Sequence, residues 1–170
     1  MPKSFKTVVA ALAVIILAVA VYNHLAFTNE RKVRRTLLDL QEKVSEPMTS
    51  GFNAVLTAAT LKSLLAPNIN ISFQRGGGIP RGVFERDEVL RIITGIKQGN
   101  PKLTVKLNFS RRNIKIDKGG SATVSALTSI ENFGEKFEPR RLTFTFEKIE
   151  KTKWQLAGIE EDIVNQREFQ

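Results

Sequence analysis

The sequence predicts an α+β domain in which three N-terminal helices pack on one curved antiparallel sheet. Apolar and polar residues alternate through much of residues 102–159, as in strands with one buried face. Between residues 30 and 97 the apolar residues instead recur every third or fourth position, as in helices that cover a sheet. An apolar run without charged residues precedes both, which predicts one transmembrane or signal helix before the domain.

The N-terminal segment, residues 1–27, is typical of a membrane-targeting segment. Its apolar run carries no charged residue before Glu30, and residues 7–27 reach the roughly 20 residues that a spanning helix needs. A short basic head followed by such a run is the layout of a signal-anchor. We therefore predict a single-pass protein of the cell inner membrane, with residues 28–170 forming a periplasmic or other extracytoplasmic domain.

Two alternatives to this topology remain open. The small residues around Ala20 also suit a signal peptidase, whose cleavage there would release a secreted domain. The count of basic residues opposes export, because more of them follow the span than precede it and basic residues favour the cytoplasmic side. These residues are Lys3 and Lys6 before the span, and Arg31, Lys32, Arg34 and Arg35 after it.

Three helices are predicted between the anchor and the sheet. The first, from about Glu30 to Ser45 with Thr28 or Asn29 as its cap, has one apolar stripe. The second, from about Phe52 to Leu65, is predicted to pack through a face rich in small residues. That face comprises Val55, Ala58, Ala59, Leu61, Leu64 and Leu65. The third, from about Glu85 to Lys97, has acidic residues near its positive N-terminus.

A short strand, residues 68–74, and a glycine-rich loop are predicted between the second and third helices. Four strands then follow within residues 102–159, joined by hairpins such as the turn at 117–120. The alternation changes phase between Ser110 and Asn113, which predicts a bulge that bends the sheet.

Composition limits the classes of function. A chain of 170 residues with 42% hydrophobic content has room for one domain beyond the anchor. The absence of cysteine excludes disulfides and thiolate chemistry. A net charge of +9 favours anionic neighbours, but the aromatic residues occupy core positions instead of interleaving with basic ones, so nucleic acid is not favoured as a partner.

Three segments carry a resemblance to a known family: LKSLLAPNINISF at 61–73, RGVFERDEVLRII at 81–93 and KTKWQLAGIEED at 151–162. In this order of elements, residues 30–164 resemble the nuclear transport factor two-like superfamily, which includes the SnoaL-like polyketide cyclases. The resemblance implies a cone-like fold with a pocket at its open end and self-association through the open sheet face. Some members are isomerases, dehydratases or cyclases, and others bind ligands or proteins.

A membrane anchor ahead of such a domain is also similar to the single-span inner-membrane assembly subunit of type IV secretion systems. That likeness implies an envelope protein or a second copy of the chain as partner. A pocket of the superfamily's kind implies that a small apolar ligand is a further possible partner.

Enzymes of the superfamily pair a pocket carboxylate or histidine with an electrophilic donor. Here His24 and Tyr22, the only residues of their types, lie in or beside the anchor, so the domain is predicted to be non-catalytic. The remaining pocket or acid/base candidates are Asn68, at a position where family members often carry aspartate, and the carboxylates Asp87, Glu131 and Glu147. No metal site and no cofactor are predicted.

Four arginines are candidates for anion binding. Arg75 and Arg81 flank a glycine loop that could cradle a phosphate, although the loop lacks the Lys-Ser/Thr ending of a P-loop and also suits a simple turn. Arg111 and Arg112 add a basic surface near the predicted bulge.

Together these observations predict a membrane-tethered, non-catalytic ligand-binding or protein-assembly module of the cell envelope. The first alternative is a SnoaL-like isomerase, cyclase or dehydratase that works with a carboxylate alone. A further alternative is a basic adaptor for anionic lipid or nucleic acid.

Overall fold

The computed structural model describes residues 28–47, 52–73, 81–150 and 153–162. The predicted anchor, residues 1–27, lies outside these ranges. Within them, no helix combines the length and the apolar character that crossing a bilayer requires.

The described residues contain three α-helices, as predicted, and the first two strands lie between the second and third of them. Residues 28–45 are helical and form α1, α2 is Phe52–Leu64, and α3 is Arg86–Gly99. The predicted cap at Thr28 or Asn29 is wrong, because both residues are already helical. In α3 the Glu88 carboxylate accepts a hydrogen bond from the backbone N–H of Glu85 at 3.1 Å, which satisfies a donor that the helix itself leaves free.

Among the described residues after α2 there are eight strands and one short 3-10 helix. The strands are β1 (Leu65–Ser72), β2 (Gly82–Glu85), β3 (Thr104–Asn108), β4 (Ile114–Ile116), β5 (Ser121–Asn132), β6 (Glu135–Lys136), β7 (Arg140–Lys148) and β8 (Trp154–Glu161). The 3-10 helix, Arg111–Asn113, separates β3 from β4 while both strands pair with β5. The prediction of a bulge between Ser110 and Asn113 locates the irregularity correctly but is wrong about its kind, because a 3-10 turn divides the segment into two strands.

The sheet is mixed, and the prediction of an antiparallel sheet is wrong in one pair. Its order is β2-β1-β8-β7-β5-β3, with β4 and β6 also paired to β5, and β1 runs parallel to β8. The hairpins of the second half force antiparallel pairing only between consecutive strands. β1 and β8 are separated by most of the domain, so no tight turn sets their relative direction.

The first two strands also differ from the prediction of one strand over residues 68–74. β1 begins at Leu65 and contains Pro67, which lies where the register between β1 and β8 shifts. Proline is tolerated there because an irregular stretch requires no ladder hydrogen bond from it. β2 was not predicted, since a strand of four residues at a sheet edge shows no measurable period.

The helices cover one face of the sheet. Alternate residues of β5, namely Ala122, Val124 and Ala126, are buried against α1 and the other helices, as are Phe144 and Phe146 of β7. The intervening residues of both strands form the open face, which is turned away from the helices. The alternation seen in the sequence therefore identifies the core face correctly.

Side chains of α1 form hydrogen bonds with backbone groups along the outer edge of β3. The Gln41 side-chain oxygen accepts a hydrogen bond from the Leu107 N–H at 2.9 Å. The Ser45 hydroxyl accepts from the Val105 N–H at 3.0 Å and donates to the Val105 carbonyl at 3.1 Å. Because these groups are paired, this sheet edge does not offer a free template for another strand.

A buried lysine joins the ends of α1 and α3 to this edge. Lys97 is 2% exposed, and its ammonium donates to the carbonyls of Ser45 at 3.3 Å and Leu103 at 2.9 Å. Burial lowers the pKa of Lys97 from its ordinary value of 10.5, since the charged form loses hydration.

Candidate functional site

The connection between β6 and β7 bulges out of the sheet at one end of the cone. β5 pairs Glu131 with Lys136 and Thr128 with Arg140, so the chain of β6 and β7 contains one extra residue between these two pairs. Phe137 still donates its N–H to the β5 backbone at 3.0 Å. The bulge thus stands beside β5 and is anchored to it at one point.

A cleft of about 460 Å³ lies beside this bulge. Its lining consists of Thr104, Lys106, Ser129, Ile130, Glu131, Lys136, Phe137, Glu138 and Pro139. Two cationic and two anionic side chains are thus combined with apolar ones. This composition suits a segment that carries both apolar and charged groups, and it provides no focused charge for a phosphate or a metal ion.

An apolar rim continues from the cleft. We define the rim as Ile96, Ile130, Phe133 and Phe137, all of which are exposed. Side-chain amides connect the end of α3, which carries Ile96, to the end of β5 next to Phe133: Asn132 donates to the Asn100 side-chain oxygen at 2.7 Å, and Asn100 donates to the Ile96 carbonyl at 2.9 Å. Exposed apolar side chains that cluster in this way mark interaction surfaces.

Phe133 of the rim has an unusual backbone conformation and a nearby cation. Phe133 has a φ of 51°, in the left-handed region that a phenylalanine rarely adopts, and its ring lies 5.2 Å from the Lys102 ammonium. Phe133 and Gly134 form the two-residue turn between β5 and β6, which requires positive φ at both positions, so the 62% exposed ring stands at the tip of a tight hairpin.

The rim lies far from the point where residues 1–27 join the domain. Near the start of α1, the Glu30 carboxylate pairs with Arg111 at 2.5 Å, beside the bend between β3 and β4. Near its end, Ser45 contacts Val105, whose neighbour on β5 is Ile130 of the rim. The helix rises about 22 Å between Glu30 and Ser45.

The four predicted pocket residues are not brought together. Asn68 is exposed on β1, opposite Glu85 of β2, and Asp87 is exposed in the first turn of α3. Glu147 pairs with the first residue of β5, whereas Glu131 lies about 33 Å further along that strand. Of the four, Glu131 alone lines the cleft.

Asp87 has a structural partner. Its carboxylate contacts the Lys62 ammonium of α2 at 2.8 Å, and this hydrogen bond lowers the pKa of Asp87 below its ordinary value of 3.8. A general base near neutral pH would need a raised pKa instead. Asp87 therefore links α2 to α3 as an ionised side chain.

The predicted anion-binding arginines are also dispersed. Arg75 lies outside the described residues, and Arg81 donates to the backbone carbonyl of Phe73. Arg111 pairs with Glu30, and Arg112 is exposed in the same 3-10 turn. Within the described ranges, no cluster of three or more histidine, aspartate or glutamate side chains is placed to hold a metal ion.

Two buried polar atoms on the helix-side face of β5 have no hydrogen-bond partner. They are the Thr128 hydroxyl and the side-chain oxygen of Asn132. A buried polar atom without a partner is costly unless a water or a ligand pairs with it. This end of the core face can therefore accept a donor from outside the chain.

The rim was not predicted from the sequence. The available signal was the segment NFGEKFEP at 132–139, in which two phenylalanines flank a glycine turn. Hairpin loops are usually polar, so large aromatic residues at 133 and 137 could have indicated an interaction surface.

The fold is shared with solved structures of very different sequence. A protein from Novosphingobium aromaticivorans described as NTF2-like with a cystatin-like fold is 12% identical, with a TM-score of 0.61 over 86% of this chain and 89% of that one. A candidate dehydratase of the NTF2-like family from Streptomyces avermitilis is 18% identical, with a TM-score of 0.57 over 80% and 96%. Comparison with protein-family models and with curated proteins finds no match. These likenesses show the NTF2-like fold alone, a fold that carries many unrelated functions.

Proposed function

We propose that this chain is a membrane-tethered, non-catalytic assembly module of the cell envelope that binds a protein partner through the cleft and the apolar rim. Residues 7–27 would form a single span in the inner membrane, and the domain would lie in the periplasm. Secretion after cleavage near Ala20 is the alternative to this tether.

The exposed apolar rim is the main support for this proposal. It is exposed and apolar, and it adjoins a cleft whose charges are balanced. It also lies about 22 Å along α1 from the tether. A domain held at residue 28 can direct such a surface away from the bilayer and toward another protein.

A small-molecule ligand is the second candidate, and the unpartnered Thr128 hydroxyl and Asn132 oxygen favour it. Native mass spectrometry of the purified chain tests this candidate directly. A retained small molecule that is lost in Thr128→Val would support a ligand pocket, and from there a SnoaL-like enzyme. A chain that carries no added mass would leave the assembly module as the better account.

Site-specific photo-crosslinking of the full chain in its native membrane tests the protein partner. A photoreactive residue at Phe137 is expected to crosslink one discrete protein. The same residue at Lys118, which is exposed on the hairpin at the other end of β5, serves as the matched control and is expected to give no such product. Equal products from both positions would contradict the proposal.

Because the chain has no cysteine, Lys118→Cys provides a unique label for topology. A membrane-impermeant maleimide is expected to label it in intact spheroplasts, and alkaline extraction should leave the protein in the membrane fraction. Labelling only after lysis would place the domain on the cytoplasmic side. Release by alkaline extraction would refute the tether.

A further inference from the structure

Helix α2 is apolar on its outer face as well as on its inner one. Thr57 and Leu61 face inward and are buried. On the opposite side Phe52 is 75% exposed, Val55 65% and Leu56 49%. The outer side of a surface helix normally carries polar residues, so these exposed apolar side chains mark a surface that can bind a partner.

The exposed residues form one continuous stripe. Phe52, Val55, Leu56 and Ala59, which is also exposed, follow the spacing i, i+3, i+4 and i+7, so they lie side by side over two turns. The only charged residue of α2 is Lys62, whose ammonium is engaged by Asp87 at 2.8 Å. The stripe therefore lacks the basic flanks of helices that lie in a membrane surface.

We propose that this outer stripe binds a second copy of the chain, as an antiparallel α2–α2 pair about a two-fold axis between Val55 and Leu56. In that arrangement Phe52 faces Ala59 of the second copy, so the largest side chain of the stripe meets the smallest. Val55 and Leu56 each meet their own equivalents beside the axis. One patch is thereby complementary to itself, as a two-fold interface requires, and the helix dipoles oppose each other favourably.

The size of the stripe predicts when this pair forms. Four side chains per copy cover less than the roughly 800 Å² per partner of a standard interface, so the dimer should be weak in dilute solution. Two copies held in one membrane have a raised effective concentration, as linked modules do. This dependence on the membrane rests on the proposed tether, whereas the pairing geometry does not.

Single-cysteine crosslinking of the full chain in phosphatidylcholine liposomes tests the pair. In the proposed geometry two Val55 positions are offset by about 1.5 Å along the helix axis, and two Ala59 positions by about 10 Å. Under oxidation Val55→Cys should therefore form disulfide dimers at least tenfold more than Ala59→Cys or the distant control Lys118→Cys. A mixture of Phe52→Cys and Ala59→Cys chains should form heterodimers.

Three results would overturn the proposal. Val55→Cys could give no more dimer than the Lys118→Cys control. Ala59→Cys could crosslink to itself more than to Phe52→Cys, which would indicate a parallel pair. Val55→Cys could be shielded from maleimide in liposomes without forming dimer, which would mean that lipid covers the stripe.

A second variant keeps the test independent of crosslinking chemistry and of the tether. Leu56→Arg places like charges together beside the axis and should lower Val55→Cys crosslinking at least tenfold; unchanged crosslinking would contradict the pair. If alkaline extraction showed that the chain is not tethered, Val55→Cys dimers formed at high concentration in solution would still support the pair, and their absence there would refute it.

Discussion

Replacing Lys97 with methionine tests how the rim is supported from within the fold. Methionine keeps most of the length of the buried stem but removes the ammonium. Two carbonyls, those of Ser45 at the end of α1 and Leu103 before β3, then lose their donor. The change therefore loosens the junction of α1, α3 and β3, on which Ile96 and Ile130 of the rim depend.

The magnitude follows from two opposing effects. Each hydrogen bond from a charged donor contributes about 1.5–3 kcal/mol. Against this gain, burial of the ammonium costs free energy, as its lowered pKa indicates. We expect a net loss of about 2 kcal/mol in the free energy of unfolding for Lys97→Met. Lys97→Ala should lose about 4 kcal/mol, because the packed stem is removed as well.

Urea unfolding of residues 28–170 measures this loss. Trp154, the only tryptophan of the chain, is 2% exposed and reports unfolding by its fluorescence. Lys115→Met, a change at an exposed lysine of β4, is the control and should alter stability by less than about 0.5 kcal/mol.

The dependence on pH gives the decisive check. Because the pKa of Lys97 is lower in the folded state, the unfolded chain binds more protons between that lowered value and 10.5. The stability advantage of the native chain over Lys97→Met should therefore grow as the pH rises through this window. A stability advantage that stays flat or shrinks would refute the reasoning that burial lowers the pKa of Lys97 and that no anionic partner raises it.

Three further changes have defined outcomes in the same unfolding assay. The hydrogen bond from Lys43 lowers the pKa of Glu46 from 4.5. The stability advantage of the native chain over Glu46→Gln should therefore be present above pH 4.5 and disappear as the pH falls through the lowered pKa. A stability advantage that persists in strong acid would contradict this. Phe146→Ala, at a fully buried site, should cost about 3–5 kcal/mol by circular dichroism, and a cost under about 1 kcal/mol would contradict the packing. Gly120→Ala should cost about 1–2 kcal/mol because Gly120 has a φ of +83°. Gly119→Ala, at the neighbouring position without a positive φ, should be nearly neutral. Equal costs would contradict the conclusion that the backbone conformation at residue 120 requires glycine.

The outer stripe of α2 shows where periodicity stops being informative. The sequence predicts Val55 and Ala59 on the packed face, and that prediction is wrong, because both are exposed. Apolar residues occur on both faces of α2, so its sequence offers little contrast by which to orient the helix. Its rotation is instead set by distant contacts, such as the hydrogen bonds from Thr57 to Glu46 and from Gln155 to the Ser63 carbonyl.

The positions of the rim residues and the order of the strands both depend on pairing between segments that are far apart in the chain. Residue type predicts Glu131 and Glu147 as candidate carboxylates, yet Glu131 lies near one end of β5 and Glu147 of β7 lies beside the other end, because β7 pairs with β5 in that register. The parallel pairing that joins Leu65 to Leu156 likewise connects segments far apart in the chain.

The sequence by itself determined the three helices, the long strands of the second half and which sheet face is buried. Alternation at Phe144 and Phe146 and the helical spacing of Val33, Leu37 and Leu40 are local properties, and the core confirms them. Only the tertiary structure decided which strands became neighbours, which side of α2 stayed exposed and which apolar residues met at the rim. Those outcomes depend on contacts between residues remote in sequence, whose relative positions no local pattern encodes.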